Sequence, residues 1–138
     1  MDKKILLTIK GSHRSTEGES SSIELITEGH LFEKNGTYYI EYEESEISGM
    51  EGTKTMFSVQ DNSVTMQRSG TNPSQFLFER GKKYLNSYLT PFGAVQMGIY
   101  STKVTHELGE NQGQVDLKYQ LDIDGKHTGT NELFLFYR

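Results

Sequence analysis

Residues 115–124 read VDLKYQLDID. Val115, Leu117, Tyr119, Leu121 and Ile123 alternate with Asp116, Lys118, Gln120, Asp122 and Asp124. Successive side chains of a strand point to opposite faces, so the run has one apolar side and one charged side. A period of two excludes an amphipathic helix, whose apolar positions recur at spacings of three and four. A strand apolar on one face belongs to an antiparallel sheet that covers a core. Asp124-Gly125 then marks a turn, and the chain returns through a last strand near 127–137.

The same reading extends to both sides of this strand. Asn35-Gly36 is a two-residue hairpin signal that pairs Lys34 with Thr37, Leu31 with Ile40 and Gly29 with Tyr42. Facing residues share a side, so Leu25, Leu31, Tyr38, Ile40 and Tyr42 fall together, with Tyr42 covering a glycine. Asp61-Asn62 pairs Val59 with Val64, Phe57 with Met66 and Thr55 with Arg68. Turn signals recur throughout, giving about ten strands. They lie near 3–10, 22–33, 37–45, 53–60, 63–69, 74–80, 83–90, 94–107, 114–124 and 127–137. Consecutive strands on short connections form a meander, and a twisted sheet of that width closes to remove its edges. The fold class is all-β: an antiparallel up-and-down closed barrel of about 8–10 strands in a single domain spanning 1–138. A two-sheet sandwich is the alternative. The polar stretch GSHRSTEGESSS (11–22) reads as a long mobile loop.

Composition narrows the function. The chain has 138 residues, no cysteine and a formal net charge of -5. Without cysteine there is no disulfide and no thiolate metal site or nucleophile. The acidic balance opposes nucleic-acid binding, which needs a basic footprint; Arg80-Gly81-Lys82-Lys83 reads as a solvated turn. No apolar run has the length of a membrane span or a signal peptide, so a cytoplasmic protein that does not engage membranes is expected. His13, His30, His106 and His127 share no zinc spacing, so no metal and no cofactor is expected. No G-x-S-x-G elbow or phosphate-cradling glycine loop occurs.

The segments KKILLTIKG (3–11), YEESEISGMEGT (42–53), YLTPFGAVQMGI (88–99) and YQLDIDGKHTGTNEL (119–133) resemble the YwiB-like family of bacterial proteins, a domain of unknown function. The likeness runs over nearly the whole chain in matching order. It implies a calycin-like β-barrel, related in shape to lipocalins, whose interiors hold small apolar ligands. It carries over no reaction and no catalytic residue, and at the level of ligands it is fold analogy.

Two charges fall on otherwise apolar faces. Glu44 continues Tyr38, Ile40 and Tyr42, and Arg68 continues Val64 and Met66. A charge in a barrel interior must be paired or reach water. Three readings stay open: rim residues snorkelling into solvent, an Arg68–Glu44 structural pair, or a polar anchor at the barrel mouth. In the last, the planar fork of Arg68 would hold a ligand carboxylate or phosphate. The candidate ligand-binding set is Glu44, Arg68, Tyr42, Tyr88 and Thr90; catalytic residues are unknown. Glu41, Glu43, Glu44 and Glu46 read as a solvated acidic edge, not a metal site, because alternation splits them between faces. Ser48–Thr53 reads as a bent loop that could cap the barrel.

The hairpin around Pro91 admits two registers. A turn over Thr90–Gly93 with a following bulge pairs Leu89 with Val95 and puts Tyr84, Tyr88 and Tyr100 outside. A tighter two-residue loop puts Tyr84 and Tyr88 inside with Val95, Met97 and Ile99. Turn chemistry favours the first, and a ligand cavity would suit the second. Gly98 reads as a bulge, because the apolar phase shifts between Ile99 and Val104. The last strand is apolar on both sides, with Leu133, Leu135 and Tyr137 against Phe134 and Phe136, which suggests a homodimer through the outer phenylalanines. Three functions follow. One is a module binding a small amphipathic or apolar ligand. Another is a protein-interaction module with a filled barrel and an outer aromatic face. The third is a metal-independent enzyme using Tyr, Arg and Glu.

Overall fold

The structure is a computed structural model, and it describes residues 2–46, 49–71 and 73–138. Ten strands follow one another: β1 (Asp2–Ser15), β2 (Ser20–Lys34), β3 (Thr37–Glu43), β4 (Thr53–Val59), β5 (Ser63–Gly70), β6 (Ser74–Glu79), β7 (Lys83–Thr90), β8 (Gly93–Leu108), β9 (Gly113–Ile123) and β10 (Lys126–Tyr137). They form one antiparallel sheet in the order β6-β5-β4-β3-β2-β1-β10-β9-β8-β7. The β1–β10 ladder joins the two ends of the chain and curls the meander into a nearly closed barrel. Among the described residues no ladder joins β6 to β7, so the wall meets there through side chains. Phe76 packs on Tyr88 with ring centroids 6.3 Å apart, and the Tyr84 hydroxyl donates to Glu79 Oε1 at 2.9 Å. No helix among the described residues is long and apolar enough to cross a membrane.

The hairpins explain the register. Asn35 and Gly36, and likewise Asp124 and Gly125, take positive φ at both central positions, as the twist-matched two-residue turn requires. Lys34 then faces Thr37 and Leu31 faces Ile40. Across β4 and β5, Val59 faces Val64, Phe57 faces Met66 and Thr55 faces Arg68. The inward side chains Leu7, Leu31, Ile40, Phe57, Val115, Leu117 and Leu135 are buried and fill the middle of the barrel. Each such side chain contributes about 1.5–3 kcal/mol on leaving water.

Four expectations are corrected. Residues 11–22 are not a loop: β1 and β2 extend through them as a paired hairpin, with Arg14 facing Ser20. Its turn is made by Ser15, whose Oγ accepts the N–H groups of Glu17 and Glu19 at 3.3 and 3.1 Å, with Gly18 at φ 89°. The β7–β8 hairpin takes the tight register: Thr90 faces Gly93, Tyr88 faces Val95 and Tyr84 faces Ile99. Gly93 at φ 113° absorbs the turn, and both tyrosines become half-buried, with Tyr88 packed against the core. Leu85 and Leu89 are left outside in exchange. The bulge of β8 lies between Ser101 and Lys103 rather than at Gly98. Gly98 is instead a close approach, since a Cβ there would stand 2.8 Å from Lys83 Cε. Finally, the β2–β3 pairing runs only as far as His30 and Glu41, and Ile5 and Leu7, not Tyr42, cover Gly29.

Candidate functional site

Meander topology gathers alternate turns at each end of the barrel. One end carries the β1–β2, β3–β4, β5–β6, β7–β8 and β9–β10 connections. A half-enclosed cavity of about 180 Å³ lies toward this end. Ile9 and Gly11 of β1, Ile23 and Leu25 of β2, Phe57 of β4, Met66 of β5 and Leu133 of β10 give it an apolar wall. Tyr42, Glu44 and Arg68 are its polar lining, and Met50 borders it from the β3–β4 connection. Ile47 and Ser48 lie outside the described residues, and with them part of the expected capping loop 48–53.

Alternation along β3 brings Tyr42 inward, and Glu44 follows one residue beyond the strand end, its N–H donating to the Thr53 carbonyl at 2.9 Å. The Glu44 side chain is only 2% exposed. The Thr55 hydroxyl donates to Glu44 Oε2 at 2.5 Å, and the Tyr42 hydroxyl is hydrogen-bonded to the same carboxylate. Arg68 comes from β5, directly opposite Thr55. Its Nε stands 3.9 Å from Glu44 Oε2, and its side chain is 19% exposed. The two charges therefore attract one another without a direct hydrogen bond between those atoms. Arg68 Nε is buried and has no hydrogen-bond partner. Of the three sequence readings, snorkelling into solvent is corrected for Glu44, while Arg68 keeps part of its side chain exposed. The ion pair is present, and it lines a cavity.

Burial pushes the Tyr42 hydroxyl far above the ordinary tyrosine range, with the Glu44 charge adding to the effect. Tyr119 of β9 is also pushed up by burial, while its bond to Asn131 and the charge of Arg68 pull it back. Its ring packs on Phe78 at 5.0 Å. Asn131 Nδ2 donates to the Tyr119 hydroxyl at 3.4 Å, and Asn131 Oδ1 meets His13 Nδ1. These three residues line a shelf of about 260 Å³ that shares Gly11, Ile23 and Leu133 with the cavity.

Two expected residues lie elsewhere. Tyr88 packs on Phe76 at the β6–β7 junction and does not line the cavity. The Thr90 hydroxyl is committed to its own turn, donating to the Gly93 carbonyl at 2.7 Å and accepting the Phe92 N–H at 3.2 Å. The acidic run divides as alternation predicts: Glu41 pairs with Lys54 at 3.7 Å on the outer face, and Glu44 is buried rather than solvated. Among the described residues no cluster of three or more His, Asp or Glu side chains could hold a metal ion. A polar concavity of about 390 Å³ on the outer wall, lined by Lys4, Glu28, His30, Glu41 and Lys54, lacks an apolar body.

Sequence reasoning missed Gly11, Ile23, His13, Tyr119, Asn131 and Leu133 as mouth residues. Two of these, Gly11 and His13, fall in the segment read as a loop, and Ile23 follows it directly. The Ser15 and Gly18 turn signature was the signal that could have restored the hairpin.

Residues 7–135 match the model of a family described as a domain of unknown function (DUF1934). The chain belongs to this family. A curated relative, the uncharacterized beta-barrel protein YwiB of Bacillus subtilis (strain 168), is 22% identical over 121 residues, covering 88% of this chain and 84% of that protein. The crystal structure of the ywiB protein from Bacillus subtilis superimposes with a TM-score of 0.85 at 23% identity, covering 99% of this chain and 92% of the other. At that identity the likeness shows a shared barrel fold.

Proposed function

We propose that this DUF1934 barrel binds a small amphipathic ligand in the cavity beside Arg68, in the manner of a calycin-like carrier. One observation carries the reading: Arg68, whose buried Nε has no acceptor, lines a cavity whose wall is apolar apart from Tyr42, Glu44 and Arg68 itself. A buried donor left unsatisfied costs about 1–3 kcal/mol, so such groups are few in native proteins. A ligand that supplies the missing acceptor removes that cost and covers apolar wall at the same time. An apolar concavity with a few convergent polar groups is the usual form of a small-molecule site. The likeness in shape to ligand-carrying barrels that the family resemblance implies adds only fold analogy.

Native mass spectrometry of protein purified from its own cells tests the proposal. The expected result is a retained small molecule, lost in Arg68→Met and in Gly11→Leu. Gly11 suits this purpose because its added Cβ would meet Ile23 and Leu133 at 3.4 and 3.9 Å, ordinary contact distances, so a longer side chain fills the cavity. Retention unchanged in both variants, or no retained molecule, would overturn it.

A second reading rests on the outer face of β7. Leu89 is 81% exposed and Phe92 is 98% exposed, with Leu85 beside them. Such a stripe is a contact surface for a further protein chain, a second copy included. Phe134 and Phe136, the expected dimer contacts, are half-buried on the outer wall. Sedimentation velocity at rising concentration separates the cases: a strict monomer removes self-association through either surface.

A further inference from the structure

The cavity's charged lining is a pair, Glu44 and Arg68, and its charges cancel. Glu44 Oε2 stands 3.9 Å from Arg68 Nε; Glu44 is withdrawn from water and Arg68 is largely so. Any acceptor about 2.9 Å from Nε lies no more than about 7 Å from Glu44 Oε2. That is inside one Debye length, and little solvent intervenes to screen it. We infer that the site selects an uncharged head group, an amide, ketone or ester carbonyl on a compact apolar body, and rejects the matching carboxylate. This deepens the proposed ligand binding and rests on it.

The physical reason is a balance of charges. A ligand carboxylate would lose its hydration on entering, and it would face Glu44 as well as Arg68. Arg68 has already spent much of its field on Glu44, so little remains to offset that loss. A carbonyl oxygen still receives a hydrogen bond from a charged donor, which is stronger than a neutral one. It brings no net charge for Glu44 to repel. Glu44 is in turn held by the Thr55 and Tyr42 hydroxyls, so it cannot swing aside to make room for an anion. At long range the formal net charge of -5 adds no attraction for anions.

The cavity sets the size of the apolar part. A closed apolar cavity of roughly 150 Å³ accepts benzene. The cavity here, about 180 Å³, takes a single ring on a short arm, and the adjoining shelf at His13 and Asn131 leaves room for a polar extension.

The test uses two probes of nearly identical shape, 3-phenylpropanamide and 3-phenylpropionate, titrated into the whole wild-type protein at pH 7 by calorimetry or ligand-observed NMR. The expected result is an amide affinity at least about tenfold above that of the carboxylate. Glu44→Gln, checked by circular dichroism for a native fold, is expected to bring the two affinities together or reverse them. Gly11→Leu is expected to abolish both. A carboxylate that binds wild type as tightly as the amide overturns this inference and leaves ligand binding standing. If neither probe binds and Gly11→Leu changes nothing, both fall. The wild-type ratio decides the matter even where Glu44→Gln does not fold.

Discussion

Replacing Glu44 by Gln removes one charge from the pair and keeps the side chain's shape. At 3.9 Å and an effective dielectric of about 20, the lost attraction to Arg68 is roughly 4 kcal/mol. Water reaches part of the Arg68 side chain, so the realised loss is about 2–4 kcal/mol. The Thr55 and Tyr42 hydroxyls can still donate to the amide oxygen, so those bonds add little to the loss. Arg68→Met should cost a similar amount, because it strands the Glu44 carboxylate. The double variant Glu44→Gln/Arg68→Met strands neither charge, and should return to within about 1 kcal/mol of wild type. Urea unfolding of the four proteins, extrapolated to water, gives the coupling between the two positions. For a chain of this size the single variants correspond to a melting point lower by about 10 °C. Two single effects that simply add in the double variant, with a coupling below about 0.5 kcal/mol, would refute the reasoning. The pair would then be two neighbours that share no energy.

At the opposite end of the barrel, Gly113→Ala should destabilise by about 1–3 kcal/mol in the same assay, because the new Cβ would stand 2.6 Å from Tyr137 Cε2. The ring cannot turn away, since the Tyr137 hydroxyl donates to the Gly109 carbonyl at 2.7 Å and accepts its N–H at 3.1 Å; an unchanged midpoint would contradict this. Alkaline stability should depend on Tyr42 and Tyr119, whose hydroxyls hold their protons more tightly in the folded chain. That contribution is complete below the ordinary tyrosine pKa near 10 and is lost as the pH rises above it. Phenolate absorbance from these two should therefore grow only in step with the loss of the β signal in circular dichroism, and their ionisation in a still-folded barrel would count against burial as the cause.

The sequence displayed those parts of the fold whose backbone geometry only certain residues can adopt. Asn35-Gly36 and Asp124-Gly125 can take positive φ in succession, and so they announced their hairpins and registers. Thr90-Pro91-Phe92-Gly93 was ambiguous because proline followed by a later glycine suits two turns. The contacts of Tyr88 with Phe76 and of Tyr84 with Glu79, a tertiary effect, go with the tight register. Face continuity singled out Glu44 and Arg68, because a charge interrupting an apolar alternation is visible in one dimension. Their separation was not visible, since it depends on how β3, β4 and β5 stack. The Gly11–Ser22 segment was misread because its serines and glycines carry no apolar alternation, and backbone pairing with neighbouring strands leaves no trace in composition.

The junction of β6 and β7 bears on how the interior is reached. There, among the described residues, no ladder joins the two strands; Phe76 meets Tyr88, Tyr84 bonds Glu79, Phe78 packs on Tyr119 of β9, and the Gly81 N–H of the β6–β7 turn donates to the Ser101 carbonyl of β8. This seam is therefore held mainly by side chains, where neighbouring strands elsewhere in the wall are held by ladders. For the ligand binding proposed above, that seam offers a route inward that breaks no ladder.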